Sequence, residues 1–192
     1  MLLQGQVFLA QTNYPQAEAV LNKAIELAPE SRSAYLMLAG IYVTTHREQE
    51  ALAKLQSGVS KNTNDWPALM MMASIQDRLK NFLEAAKAYE LALASNATNL
   101  VILNNLAYLY SERLNQPEKA LQMVQKAQML APENSEVADT AGWVLSKRGE
   151  YARALVLLQP SAEKLLTYPE AQYHLAMTHY MLGEEVPARL AF

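Results

Sequence analysis

Small residues recur along this chain at Gly5, Ala39, Ala73, Ala107, Gly142 and Ala176, at intervals of 34, 34, 34, 35 and 34 residues. A fixed period in this range means a stack of like supersecondary units, each burying its apolar face against its neighbours. A bulkier residue follows three positions later, at Phe8, Tyr42, Gln76, Tyr110, Leu145 and His179. A second small residue comes at Ala17, Ala51, Ala85, Ala120, Ala154 and Ala188, with Leu21, Leu55, Tyr89, Val124, Leu158 and Phe192 four residues beyond it. Spacings of three and four fit one stripe of an α-helix and not the alternation of a strand. Each unit therefore reads as two amphipathic helices. The single slip of register lies between Tyr110 and Ala120, which places one extra residue in the turn of the fourth unit.

The small residues have a steric purpose. Where two helices cross closely, a larger side chain forces the axes apart at a cost of about 1–3 kcal/mol. Glycine inside a helix itself costs roughly 0.5–1 kcal/mol, so Gly5 and Gly142 should mark the tightest crossings. Prolines punctuate the same frame. Pro15, Pro117 and Pro187 fall near the start of second helices, Pro67 and Pro169 at the start of first helices, and Pro29 and Pro132 after second helices in the strings IELAPE and QMLAPE. Gly149 and Gly183 share one turn position and suit a helix stop. Only Pro160 falls inside a helix; a kink or early break is expected there, loosening the joint between the fifth and sixth units.

Composition narrows the function classes. The formal net charge of −3 with no basic stripe disfavours nucleic acid as partner. The absence of Cys excludes disulfides, thiolate metal sites and a Cys nucleophile. No apolar run approaches a membrane span; the longest, from Leu100 to Tyr110, is broken by Asn104 and Asn105. The N-terminal string MLLQGQVFLAQTNY lacks the charged n-region of a signal peptide, leaving cytoplasm and periplasm both open. No nucleophile-elbow, phosphate-loop, dinucleotide or H-E-x-x-H signature is present, so no catalytic residue, cofactor or metal is expected. His174 and His179 are five residues apart and do not share a helix face; one surface and one core histidine, with His179 at the bulky core position, is the expectation. In Met70–Met71–Met72, Met72 falls on a core position and Met70 is a candidate surface contact.

The pattern resembles the tetratricopeptide repeat, whose 34-residue signature is large–large–small–aromatic, then Ala–aromatic–Ala–Pro. The likeness covers essentially the whole chain, with repeats at about 1–31, 32–65, 66–99, 100–134, 135–168 and 169–192. The third repeat departs most, with Gln76 for the aromatic and Ala97 for the proline. The strings DTAGWVLSKRGEYARAL and PEAQYHLAMTHYMLGE look like bacterial arrays, including those associated with exosortase and exopolysaccharide systems. The resemblance implies an all-α, right-handed α-solenoid of six antiparallel helix pairs. The first and last repeats look incomplete, which points to a piece of a longer protein or to homo-oligomers formed through uncapped ends.

The resemblance also implies a concave groove lined by first helices, where partners lie as extended or helical peptides. Carried over position by position, the groove comprises Leu2, Gln6 and Leu9; Leu36, Gly40 and Val43; Met70, Ser74 and Asp77; Asn104, Tyr108 and Ser111; Asp139, Trp143 and Ser146; and Tyr173, Met177 and Tyr180. Tyr108, Trp143, Tyr173 and Tyr180 are candidate anchors, Tyr and Trp being favoured at binding surfaces, unless they stack between neighbouring first helices instead. Some members of the family clamp a carboxylate with Lys, Arg and Asn. Here Asn104 and Asn105 have only Arg78 nearby, with Lys147 one turn away in the fifth repeat, so an apolar or aromatic-bearing peptide is the expected ligand. A non-catalytic interaction scaffold is the leading expectation. The alternative is an accessory repeat region of a larger enzyme or of a secretion or polysaccharide assembly protein.

Overall fold

The computed structural model describes residues 1–191; Phe192, expected at a core position of the last repeat, lies outside the described residues. Among the described residues there are twelve helices and no strand. They are α1 (Leu2–Ala10), α2 (Tyr14–Leu27), α3 (Arg32–Thr44), α4 (Glu48–Val59), α5 (Trp66–Arg78) and α6 (Phe82–Ser95), then α7 (Leu100–Glu112), α8 (Pro117–Leu130), α9 (Ser135–Lys147), α10 (Tyr151–Lys164), α11 (Pro169–Met181) and α12 (Glu185–Leu190). They form two compact units, Met1–Ala97 and Thr98 onward, each holding three helix pairs.

Local chemistry accounts for the boundaries. Asn13, Asp65, Asn99 and Asn134 cap α2, α5, α7 and α9, their side-chain oxygens accepting the N–H groups of Gln16, Ala68, Ile102 and Val137. Proline occupies the first or second position of α2, α5, α8 and α11, where its missing N–H leaves nothing unpaired. Each first helix closes with a bond from an N–H beyond the turn back to the carbonyl of the bulky residue. Asn13, Arg47, Asn81, Glu150 and Glu184 donate to Phe8, Tyr42, Gln76, Leu145 and His179 at 2.7–3.0 Å. In the fourth repeat Gln116 donates to Tyr110, one residue further along, and the turn Arg113–Gln116 takes up the extra residue expected there.

A regularity not legible beforehand sits in these turns. Thr12, His46, Lys80, Asn115, Gly149 and Gly183 all have φ between +50° and +79°. The left-handed residue is thus present in every repeat, and only the last two use glycine.

The small residues are buried at the helix crossings. A Cβ on Gly142 would stand 2.6 Å from Leu158 Cγ, and one on Gly5 would stand 2.8 Å from Leu21 Cδ2, so both crossings are as tight as expected. Ala17, Leu21, Ala39, Ala51 and Leu55 are fully buried in the first unit's core, as are Ala107, Ala120, Ala154 and Leu158 in the second. Ala188 remains half-buried. Met71 and Met72 pack against the first unit's core, as the frame expects of Met72.

The break expected at Pro160 does not occur. α10 runs through it from Tyr151 to Lys164. Proline removes the donor for the Val156 carbonyl, but Val156 is solvent-exposed, so water can take that acceptor. The joint to the next repeat is also held together here. Ser161 Oγ donates to the Ser135 carbonyl at 2.5 Å, and Gln172 Nε2 donates to the Ala162 carbonyl at 2.9 Å.

Ion pairs stitch successive repeats within each unit. Arg47 binds Glu18 of the preceding repeat at 2.8 Å and Glu50 at 2.6 Å, while Tyr42 Oη donates to Glu18 at 3.0 Å. Arg78 reaches Glu48 at 2.8 Å, and Arg148 reaches Glu118 at 2.6 Å and Glu150 at 2.9 Å. The hydrogen bonds from Arg47 hold the Glu18 and Glu50 carboxyls below the usual carboxylate range, and Arg148 does the same for Glu150.

Candidate functional site

In the second unit the first helices of the three repeats are α7, α9 and α11, and α9 packs against both of the others. Residues at i, i+3 or i+4, and i+7 along each helix share one stripe: Asn104, Tyr108 and Ser111 on α7, Asp139, Trp143 and Ser146 on α9, and Tyr173, Met177 and Tyr180 on α11. α9 lies between the other two and is nearly enclosed, with every residue from Asp139 to Ser146 buried.

That enclosure changes the roles assigned to four residues. Ser111, Asp139, Trp143 and Ser146 do not stand on an open groove surface. Trp143 is 6% exposed and Asp139 is 7% exposed. The Trp143 indole stacks on His174 with ring centres 4.4 Å apart, lies 5.8 Å from Tyr173, and donates its Nε1–H to Glu112 Oε1 at 2.8 Å. Lys147 sits 3.4 Å from the same Glu112 carboxylate and 5.5 Å above the Trp143 ring. Trp143 thus joins first helices together.

His174 is also buried, at 4% exposure, where a surface histidine was expected. Its burial is made tolerable by Asp139, since a carboxylate only accepts and His174 Nδ1 faces Asp139 Oδ2 at 2.9 Å. His179 is buried at the bulky core position, as expected, with Nδ1 2.6 Å from Glu184 Oε2. Thr178 Oγ1 lies 2.7 Å from the His174 carbonyl and 2.8 Å from Ser146 Oγ; it donates to the first and accepts from the second. The seam is polar and aromatic throughout.

The remaining second-unit residues are partly open. Asn104, Tyr108 and Met177 are half-buried. Tyr173 is 44% exposed and Tyr180 is 64% exposed. Ring contacts bring Tyr108, Trp143 and Tyr173 together around His174. Tyr180 is placed apart from them, lining with Met177 a cavity of about 410 Å³ between α11 and α12, beside Glu185 and Arg189. In the first unit Leu36, Met70 and Asp77 are half-buried, and Leu36 packs onto the core. Of the cations weighed for a carboxylate clamp, Arg78 and Lys147 are both engaged by carboxylates, Glu48 and Glu112.

Among the described residues no three His, Asp or Glu side chains converge in a way that could hold a metal ion, and no helix is long and apolar enough to cross a membrane.

Known proteins share this architecture. Profiles of the tetratricopeptide repeat match residues 2–68, 67–99 and 100–134. A TPR repeat-containing protein of Pseudomonas aeruginosa, PA4667, is 24% identical over 184 residues, covering 95% of this chain. The chain spans from 18% to 60% of the length of the curated relatives it matches, and 30% of PA4667. Among solved structures, a tetratricopeptide repeat protein from Parabacteroides merdae superimposes with a TM-score of 0.84 at 20% identity, covering 98% of this chain and 74% of its own. YrrB, described as a TPR protein with an unusual peptide-binding site, superimposes with a TM-score of 0.71 at 22% identity, covering 89% of this chain and 88% of its own. The all-α solenoid class expected from the sequence is borne out, and the chain belongs to the tetratricopeptide repeat family.

Proposed function

We propose that this chain is a non-catalytic interaction module that holds a protein segment along the first-helix face of its second unit, on α7, α9 and α11. The observation that carries the reading is the exposure of Tyr173, Tyr180 and Met181 on α11, with Met177 half-buried beside them. Large apolar side chains clustered on one face, outside any core, are the usual mark of a contact surface, and tyrosine serves well there because it offers area at little conformational cost. The segment it holds is apolar or aromatic-bearing. The peptide-binding site named for YrrB, a protein of the same fold, is consistent with such a role.

Asp139, Trp143 and Ser111 take a different part in this reading: they set the spacing and stiffness of the face. The test is capture from the source organism with the wild-type chain and with a Tyr173→Ala, Tyr180→Ala double variant. The reading expects a protein retained by the first and lost by the second, with helical circular dichroism unchanged. Equal retention by both removes α11 as the contact.

A further inference from the structure

Two of the three polar atoms left without partners on this face only accept; the third, Ser111 Oγ, is a hydroxyl that accepts or donates. Asp139 offers Oδ2 to His174, but its Oδ1 is buried and has no hydrogen-bond partner. Asn104, at the same repeat position 35 residues earlier, likewise has a buried, unpartnered Oδ1. No side-chain nitrogen among the described residues is left in that condition. A buried acceptor without a donor is costly, and more so on a carboxylate, so a donor-rich ligand is the complement that these oxygens lack.

Charge and shape agree. Helical spacing puts Glu136 on the stripe of Asp139 and Trp143, and Glu170 on the stripe of Tyr173 and Met177. With Glu112 at the far end, the face carries four carboxylates against one ammonium, Lys147, which Glu112 already engages. Tyr108, Trp143 and Tyr173 surround His174, the partner of Asp139, and the partly open Tyr108 and Tyr173 rings offer faces on which a flat cation stacks.

We propose that the protein segment bound by the second unit presents an arginine here, its guanidinium donating to Asp139 Oδ1 and Asn104 Oδ1 between the aromatic rings. This rests on the reading that the α7–α9–α11 face holds a protein segment. Entry requires the Tyr173 ring, nearly half exposed, to turn outward. Guanidinium suits the site better than ammonium because its five donors form a planar fork and it is weakly hydrated.

Random twelve-residue peptides displayed on phage would be selected on the wild-type chain, on Asp139→Asn, and on the Tyr173→Ala, Tyr180→Ala double variant. The proposal expects arginine at one fixed position among wild-type-selected peptides and its loss on Asp139→Asn. Replacing that arginine by citrulline in a synthesised peptide should weaken binding by about tenfold or more, as a charged hydrogen bond predicts, and should change nothing on Asp139→Asn. Wild-type peptides without arginine enrichment, or arginine retained on Asp139→Asn, overturn the proposal. If those peptides still fail on the tyrosine double variant, the face binds segments without reading arginine. Peptides indifferent to every variant overturn both readings. Should Asp139→Asn lose its helical circular dichroism, Asn104→Asp replaces it as the deciding variant: stronger arginine selection supports the proposal, and unchanged selection rejects it.

Discussion

Gly142 and Gly40 are both helical glycines, yet they should respond oppositely to the same added methyl. At Gly142 the new Cβ would meet Leu158 Cγ at 2.6 Å and the Ala154 carbonyl at 3.1 Å, and backbone cannot yield cheaply. Gly142→Ala should therefore lower stability by about 1–3 kcal/mol, outweighing the gain in helix propensity. At Gly40 nothing lies within 4 Å, so Gly40→Ala should raise stability by about 0.5–1 kcal/mol. Urea unfolding of the two variants beside wild type checks both signs. The tight crossing at Gly142 was legible because a 34-residue spacing of small residues has few other causes. The difference between Gly40 and Gly142 was legible only as a position off or on that series.

At the scale of the element, the turns and α10 show what periodicity leaves unsaid. A left-handed turn residue recurs in all six repeats, but Thr12, His46, Lys80 and Asn115 conceal it, because the strain they carry is offset by the bonds of the turn and leaves no compositional trace. Lys80→Gly should relieve part of that strain and stabilise the chain by about 0.5–1 kcal/mol in a thermal melt. In α10 the helix continues past Pro160 and is tied down just beyond it, Ser161 Oγ donating to the Ser135 carbonyl and the Ala162 carbonyl accepting from Gln172 of α11. Pro160→Ala should restore the missing backbone bond and raise stability, by up to about 3 kcal/mol. No gain on denaturation would mean that water already satisfies the Val156 carbonyl fully.

Across the whole molecule, the arginine–carboxylate pairs within and between repeats set a pH dependence that both units share. Glu18, Glu50 and Glu150 are held below their ordinary value by arginine hydrogen bonds. The stability they contribute is complete above that ordinary value and is lost as pH falls through the lowered folded one. The melting temperature should be level from pH 7 to pH 5 and should fall once the pH drops below about 4.5. Glu18→Gln should melt lower at pH 7 and decline less steeply in acid; parallel curves would show that this pair contributes nothing.

The fold was legible at this scale because every repeat obeys the same packing rule. The site was less so. Helical spacing identifies the α9 stripe that carries Asp139, Trp143 and Ser146, but not that α7 and α11 close over it, which depends on how near adjacent first helices approach. Nor does a 35-residue separation announce that Asp139 and His174 will meet. What stayed outside that enclosure, chiefly Tyr173 and Tyr180, is where the account places binding. The most direct measurement is the dissociation constant of a segment captured by the wild-type chain, determined again on the Tyr173→Ala, Tyr180→Ala variant. A loss of at least about 2 kcal/mol, roughly thirtyfold in Kd, is predicted. An unchanged constant, with helical circular dichroism intact, would contradict the account.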